Sequence, residues 1–196
     1  MNKTKSRMST ETMVLGALLT ALVFVLQYMG SFVKFGPFSI SLVLIPIVIG
    51  AATCGVGIAA WLGLVFGAAV FASGDAAAFL AVDVAGTVVT VLVKGVACGL
   101  CAALVYKLFE KVNRYLAVVV AAIVCPVVNT GVFLIGCKLF FMSIVSQWAE
   151  AAGLGADVGK FMIVGLVGVN FLVEMGSNII LSPIVVRLLN VRKLQK

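Results

Sequence analysis

Apolar residues along this chain run together in long uncharged stretches, and the lysines and arginines gather in short clusters between them. Crossing the hydrocarbon core of a bilayer takes roughly 20 consecutive apolar residues. Six stretches are candidates, at 13–30, 39–52, 55–71, 79–105, 116–142 and 161–188. They predict an all-α integral membrane protein with six transmembrane helices in one compact bundle, a single domain over residues 1–196. Residues 39–71 as one helix would extend about 50 Å at ~1.5 Å per residue, longer than the bilayer is thick. The chain has to turn there. Cys54, Gly55 and Gly57 offer the turn, and Pro46 weakens the backbone ladder before it. Two full spans and a re-entrant hairpin both preserve the parity of crossings.

Composition makes lipid the solvent. With 63% hydrophobic and 11% charged residues and a mean hydropathy of +1.26, a water-soluble domain has no way to hide its apolar surface. Charge then sets the orientation, because loops that stay in the cytoplasm carry the excess of Lys and Arg. Lys3, Lys5 and Arg7 precede the first span, Lys107, Lys111 and Arg114 separate the fourth from the fifth, and Arg187, Arg192, Lys193 and Lys196 follow the last. The opposite loops hold Lys34 and Lys160 beside Asp75, Glu150 and Asp157. Both termini are therefore expected in the cytoplasm, and the first apolar run, preceded by Glu11 and followed by further spans, reads as a retained helix and not a cleaved leader. The net charge of +7 is a topology signal; the bases flank lipid-spanning segments and form no stripe for nucleic acid.

The motifs for chemistry are few. Cys98-x-x-Cys101 has no second pair and the chain has no histidine, so packing cysteines, and neither a zinc nor a redox site, are expected. Gly55-x-Gly57-x-x-Ala60 lacks the preceding strand and following acid of a dinucleotide fingerprint. Residues 153–160 echo a phosphate loop, but Phe161 stands where a Ser or Thr must meet magnesium. No ATP site, no metal site, no cofactor and no enzyme activity are expected.

Polar residues placed where lipid makes them costly are the stronger signal. Asn170, Glu174 and Asn178, spaced by four, form one stripe down the sixth span. An ionised carboxylate at a helix centre costs on the order of 3 kcal/mol, so Glu174 needs a partner, water or a proton. Lys94 lies about 22 Å deep and Glu174 about 20 Å deep at ~1.5 Å per residue, close enough in depth to pair. Asp83 shares a helical face with Lys94. Asn129 falls near mid-membrane, and Lys138 near the outer surface. Structural roles stay open: an ion pair for Lys94 and Glu174, headgroup contact for Lys138, helix-joining hydrogen bonds for the asparagines. Phe32, Lys34, Phe35 and Phe38 make the first outer loop a candidate lid, and Tyr28 and Trp148 fit interfacial anchoring or ligand stacking equally. The basic residues Lys34, Lys138 and Lys160 near the outer face hint at an anionic or amide-bearing ligand.

The run Ala17-Leu-Leu-Thr-Ala21, a short outer loop, then Phe38-Ser-Ile-Ser-Leu-Val-Leu-Ile-Pro46-Ile-Val-Ile-Gly50-Ala and a glycine-rich turn resembles the substrate-binding S component of energy-coupling factor (ECF) transporters. The resemblance implies a capture subunit for a water-soluble vitamin or related micronutrient, with an outward cavity and no engine of its own. It implies docking on a transmembrane coupling subunit with two ATPase subunits, in a prokaryotic plasma membrane, and it places Ala17 and Ala21 at that interface. Small residues four apart do let helices approach closely in lipid, though a contact within the bundle would use them equally. The rival reading is a self-sufficient proton- or cation-coupled secondary transporter of a small metabolite, with Glu174 as the relay.

Overall fold

A computed structural model describes residues 9–35, 38–39, 42–155 and 157–194. In chain order these form α1 (Thr10–Ser31), a ribbon of β1 (Lys34–Phe35) and β2 (Phe38–Ser39), α2 (Leu44–Thr53), α3 (Val56–Ala72), α4 (Ala77–Leu80), α5 (Val84–Phe109), α6 (Arg114–Phe140), α7 (Met142–Ala151), α8 (Val158–Lys160), a π-helical stretch (Phe161–Leu166) and α9 (Gly168–Leu194). The ribbon is antiparallel, with Lys34 opposite Ser39 and Phe35 opposite Phe38.

Among the described residues, four segments are long and apolar enough to cross a membrane: α1, α5, α6 and the run Val158–Arg187. The expected second and third spans are shorter apolar helices. α2, with 10 residues, extends only about 15 Å at ~1.5 Å per residue. Between α2 and α3 the backbone turns at Gly55, whose φ of 88° is reached without strain only by glycine. Pro46 does not weaken α2 as expected, because it falls in the first turn, where a missing N–H costs no helical hydrogen bond. The expected fourth span is also interrupted. α4 ends at Leu80, and α5 starts afresh after Asp83, whose carbonyl accepts from the Thr87 N–H at 3.0 Å and the Thr87 hydroxyl at 2.6 Å.

Side chains stop and start the other helices by satisfying exposed N–H groups. Ser9 Oγ accepts from Thr12 N at the head of α1. Asn113 Oδ1 accepts from Tyr115 N and Leu116 N at the head of α6, fixing the sharp turn from α5.

Glycine and alanine hold α3 against α5. A methyl group at Gly63 would collide with the Gly95 carbonyl, one at Gly95 with the Gly63 carbonyl, and one at Gly99 with the carbonyl of Ala59. Residues 59, 63 and 67 on α3 and 95 and 99 on α5 recur every four positions, so each set lies along one helical face. Backbone meets backbone along this seam, which is how helices gain van der Waals contact where lipid removes the hydrophobic drive. Around it Val23, Ile47, Leu62, Phe66, Cys98 and Cys125 are fully buried in one apolar cluster. A smaller cluster unites Phe79, Phe141, Val145 and Phe161 beneath α7.

Outward faces remain apolar. Leu18 is 62% exposed, Leu104 56%, Ile135 60%, Leu172 68% and Ile180 74%. Leu172 and Ile180 share α9, so the five span four helices; such a girdle is stable only against acyl chains.

Candidate functional site

Tyr28 Oη donates to the Ala72 carbonyl at 3.0 Å, bringing the end of α1 to the end of α3. Phe79 of α4 packs edge-on against Phe133 and Phe141 of the α6 end and Trp148 of α7. At this end of the bundle, where α5 and the last segment begin, the helices enclose a cavity. It is lined by Gln27, Val70, Asp75, Ala76, Phe79, Val91, Lys94, Asn129, Thr130, Phe133, Leu166, Val167, Asn170 and Glu174. Lys94 stands ten residues after Val84, so the cavity reaches about 15 Å down the bundle at ~1.5 Å per residue. Its interior offers ≈ 70 Å³ to water centres, room for roughly half a dozen waters at about 10–15 Å³ each.

Two carboxylates organise the polar lining. Gln27 is 2% exposed; its Nε2 donates to Asp75 Oδ2 at 2.7 Å and to Ser73 Oγ at 3.3 Å. Ser73 Oγ lies 3.3 Å from the same carboxylate oxygen. Across the cavity, Asn170 Nδ2 donates to Glu174 Oε1 at 2.9 Å. A carboxylate accepts only, so each neighbouring amide must turn its NH2 toward it and its oxygen away. The oxygens left over, Gln27 Oε1 and Asn170 Oδ1, are buried without a hydrogen-bond partner among the described residues, as is Asn129 Oδ1. Each unmatched buried acceptor costs about 1–3 kcal/mol, a cost that a polar guest or water removes.

Lys94 Nζ lies between two aromatic faces, 5.2 Å from the centre of the Phe66 ring and 5.3 Å from that of Phe133. The rings supply cation–π attraction to a charge far from bulk water. Lys94 and Glu174, similar in depth by residue count, line the same cavity.

Of the stripe on α9, Asn170 and Glu174 line the cavity. Asn178, one turn further, is 4% exposed and buried elsewhere, with Nδ2 unpartnered. Asp83 does not join Lys94 in the cavity. Its carboxylate turns back over Gly86 near Phe140, since the chain is not yet helical there and the expected shared face does not exist. Lys138 and Lys160 are exposed and absent from the lining, so the hint they carried about ligand charge has no counterpart inside. Phe32 is 85% exposed. The backbone of Lys34, Phe35 and Phe38 forms the ribbon, and their side chains lie outside the described residues, as do Gly36 and Pro37 entirely. Ala17 and Ala21 face outward on α1, whose buried side carries Gly16, Leu19, Val23 and Gln27. Trp148 packs edge-on against Phe79.

Sequence reasoning missed Gln27, Asp75, Thr130 and the aromatic pair around Lys94. Gln27 had a signal, as an amide inside an uncharged apolar run. Leu166 and Val167 had none. They reach the cavity as neighbours in sequence because the π-helical stretch widens the turn before α9.

Among known proteins, neither a curated sequence nor a solved structure matches the chain. A family model, the substrate-specific component of ECF transporters, matches residues 11–186. Subunits of this family are not enzymes; they capture a transported substrate within the membrane and dock with the coupling subunit and ATPases of the ECF module. With that match over nearly its whole length and a polar cavity inside an apolar bundle, the chain belongs to the ECF transporter substrate-specific components, as a multi-pass membrane subunit for substrate capture.

Proposed function

We propose that the polar cavity is the capture site for a water-soluble vitamin or related micronutrient. Its most direct support is the set of buried amide oxygens of Gln27, Asn129 and Asn170, which have no hydrogen-bond partner among the described residues. Buried polar groups are nearly always satisfied, and a lining that withholds this much hydrogen bonding from itself is built for a guest. Lysines and arginines cluster around the turn between α5 and α6 and toward the C-terminal end of α9, the end opposite the cavity. By the positive-inside rule that end is cytoplasmic. The cavity then opens outward, both termini are cytoplasmic, and α2 with α3 completes six crossings of a prokaryotic plasma membrane.

Delivery needs a partner. Ala17 and Ala21 present a low-relief strip on the exposed side of α1, where a coupling subunit's helix can pack closely. That subunit and two ATPases supply the energy. The ribbon after α1 covers the cavity as a lid.

The test is direct. The protein is purified from detergent, denatured, and its small-molecule content identified by mass spectrometry. A micronutrient recovered near one per chain supports capture. Blank extracts together with no thermal shift across a vitamin panel refute it, and uptake by vesicles holding this chain alone, without ATPases, refutes the division of labour.

A further inference from the structure

Lys94 stands on the inward face of α5. Thr87, Thr90, Val91 and Cys98 share that face by helical spacing and are all buried, whereas Lys94 itself is only half-buried. The surface it keeps therefore opens inward, and the side chain lines the cavity beside Asn129, Thr130 and Phe133. Phe66 and Phe133 flank the ammonium, with Nζ 5.2 and 5.3 Å from their ring centres. Phe79 meets Phe133 edge-on and holds that ring in place. Ring faces stabilise the charge but are weak hydrogen-bond acceptors. An ammonium carries three N–H donors, and among the described residues no hydrogen bond engages those of Lys94, which Glu174 attracts electrostatically. A donor left unmatched at this depth is costly, and an oxygen brought by a guest removes the cost.

We infer that Lys94 anchors the guest by donating to its carbonyl or carboxyl oxygen, so that the substrate is an amide, a lactam or a carboxylic acid. This rests on the capture function proposed above and specifies its chemistry. The recognised feature is the oxygen lone pair, whatever the guest's net charge. Lys94 lies ten residues into α5, about 15 Å below its start at ~1.5 Å per residue, so the oxygen-bearing end enters first and the rest of the guest lies toward Phe79. The two rings restrain the lysine before the guest arrives, which lowers the entropy lost on binding.

Benzamide, benzoate and benzamidine share one planar shape; the first two present an oxygen, the third only nitrogen. Binding of each to the purified full chain in lipid nanodiscs is measured by ligand-observed NMR and thermal shift at fixed ionic strength. Both oxygen-bearing probes are expected to bind at least about tenfold more tightly than benzamidine, the worth of a hydrogen bond to a charged group. Lys94→Met puts a thioether against the same rings. It is expected to erase that preference while the melting temperature stays at or above that of the wild type, because a buried charge is removed. The wild-type ranking stands as a test even if this variant does not fold. Equal binding of the three probes, tighter binding of benzamidine, no binding by any of them, or an oxygen preference that survives in Lys94→Met overturns the inference. So does a co-purified ligand without a carbonyl or carboxyl oxygen, which leaves the capture function intact. No co-purified ligand and no binding by any probe or vitamin overturns both together.

Discussion

The seam between α3 and α5 sets the position of Lys94, because Gly95 and Gly99 of the same helix make the closest approaches. Gly95→Ala puts a methyl group into the Gly63 carbonyl. A carbon and a carbonyl oxygen need about 3.3 Å at closest, so the helices must part by roughly 1 Å. The obstacle is backbone and no side chain can rotate to yield. Overpacking a dense site costs about 1–3 kcal/mol, and a rigid obstacle puts this substitution in the upper half of that range. Alanine returns up to about 1 kcal/mol as a better helix former, leaving a net loss of roughly 1–2 kcal/mol. For a chain of this size that lowers the melting temperature by about 2–8 °C. Gly131→Ala is the matched control. It lies inside α6 with nothing within 4 Å of the added carbon, so only the helix-propensity gain remains and melting is expected to rise by up to about 4 °C. Tryptophan fluorescence from Trp61 and Trp148 during thermal unfolding, at one scan rate in one lipid, reads both. A Gly95→Ala protein that melts at or above the wild type refutes the backbone-to-backbone seam.

Three further outcomes are expected. Asn170→Ala and Glu174→Gln each weaken binding of the natural ligand by ~1–3 kcal/mol, the penalty of a buried polar group left unmatched, as read by calorimetry; unchanged affinity returns both residues to helix packing. Ala17→Trp or Ala21→Trp, outward on α1, abolishes energised uptake in reconstituted vesicles while ligand affinity holds, and a parallel loss of affinity contradicts the docking role. Lys138→Ala leaves affinity within twofold of wild type, about 0.4 kcal/mol, because this exposed side chain is outside the cavity; a larger loss would place the ligand at the headgroup level instead.

Much of the architecture could be read one segment at a time. Apolar runs long enough for a bilayer announce helices whatever their neighbours do, and four of the expected six appear at full length. The shortness of α2 and the break before α5 were less visible, since apolar composition continues through both places while local backbone geometry stops the helix. At the site, Glu174, Asn170, Asn129 and Lys94 were legible because polar groups stand out against lipid. Asp75 was read as an ordinary loop charge. Nothing in its neighbours revealed that the chain folds it under, against Gln27 forty-eight positions earlier. Asp83, two turns further on, looked the better candidate and instead faces the start of its own helix.

What the amino-acid sequence by itself determined is the solvent, the helical class and the family. Each depends on composition summed over a segment or on short motifs, and such sums survive any rotation of one helix about its axis. Which polar groups share a cavity, and which carboxylate each amide meets, was decided only by tertiary structure. Those properties depend on the angles at which α1, α3, α5, α6 and α9 present their faces, and glycine contacts between distant segments set these angles. The direction in which an amide points is later still: Asp75 and Glu174 choose it for Gln27 and Asn170 once the bundle has brought them together.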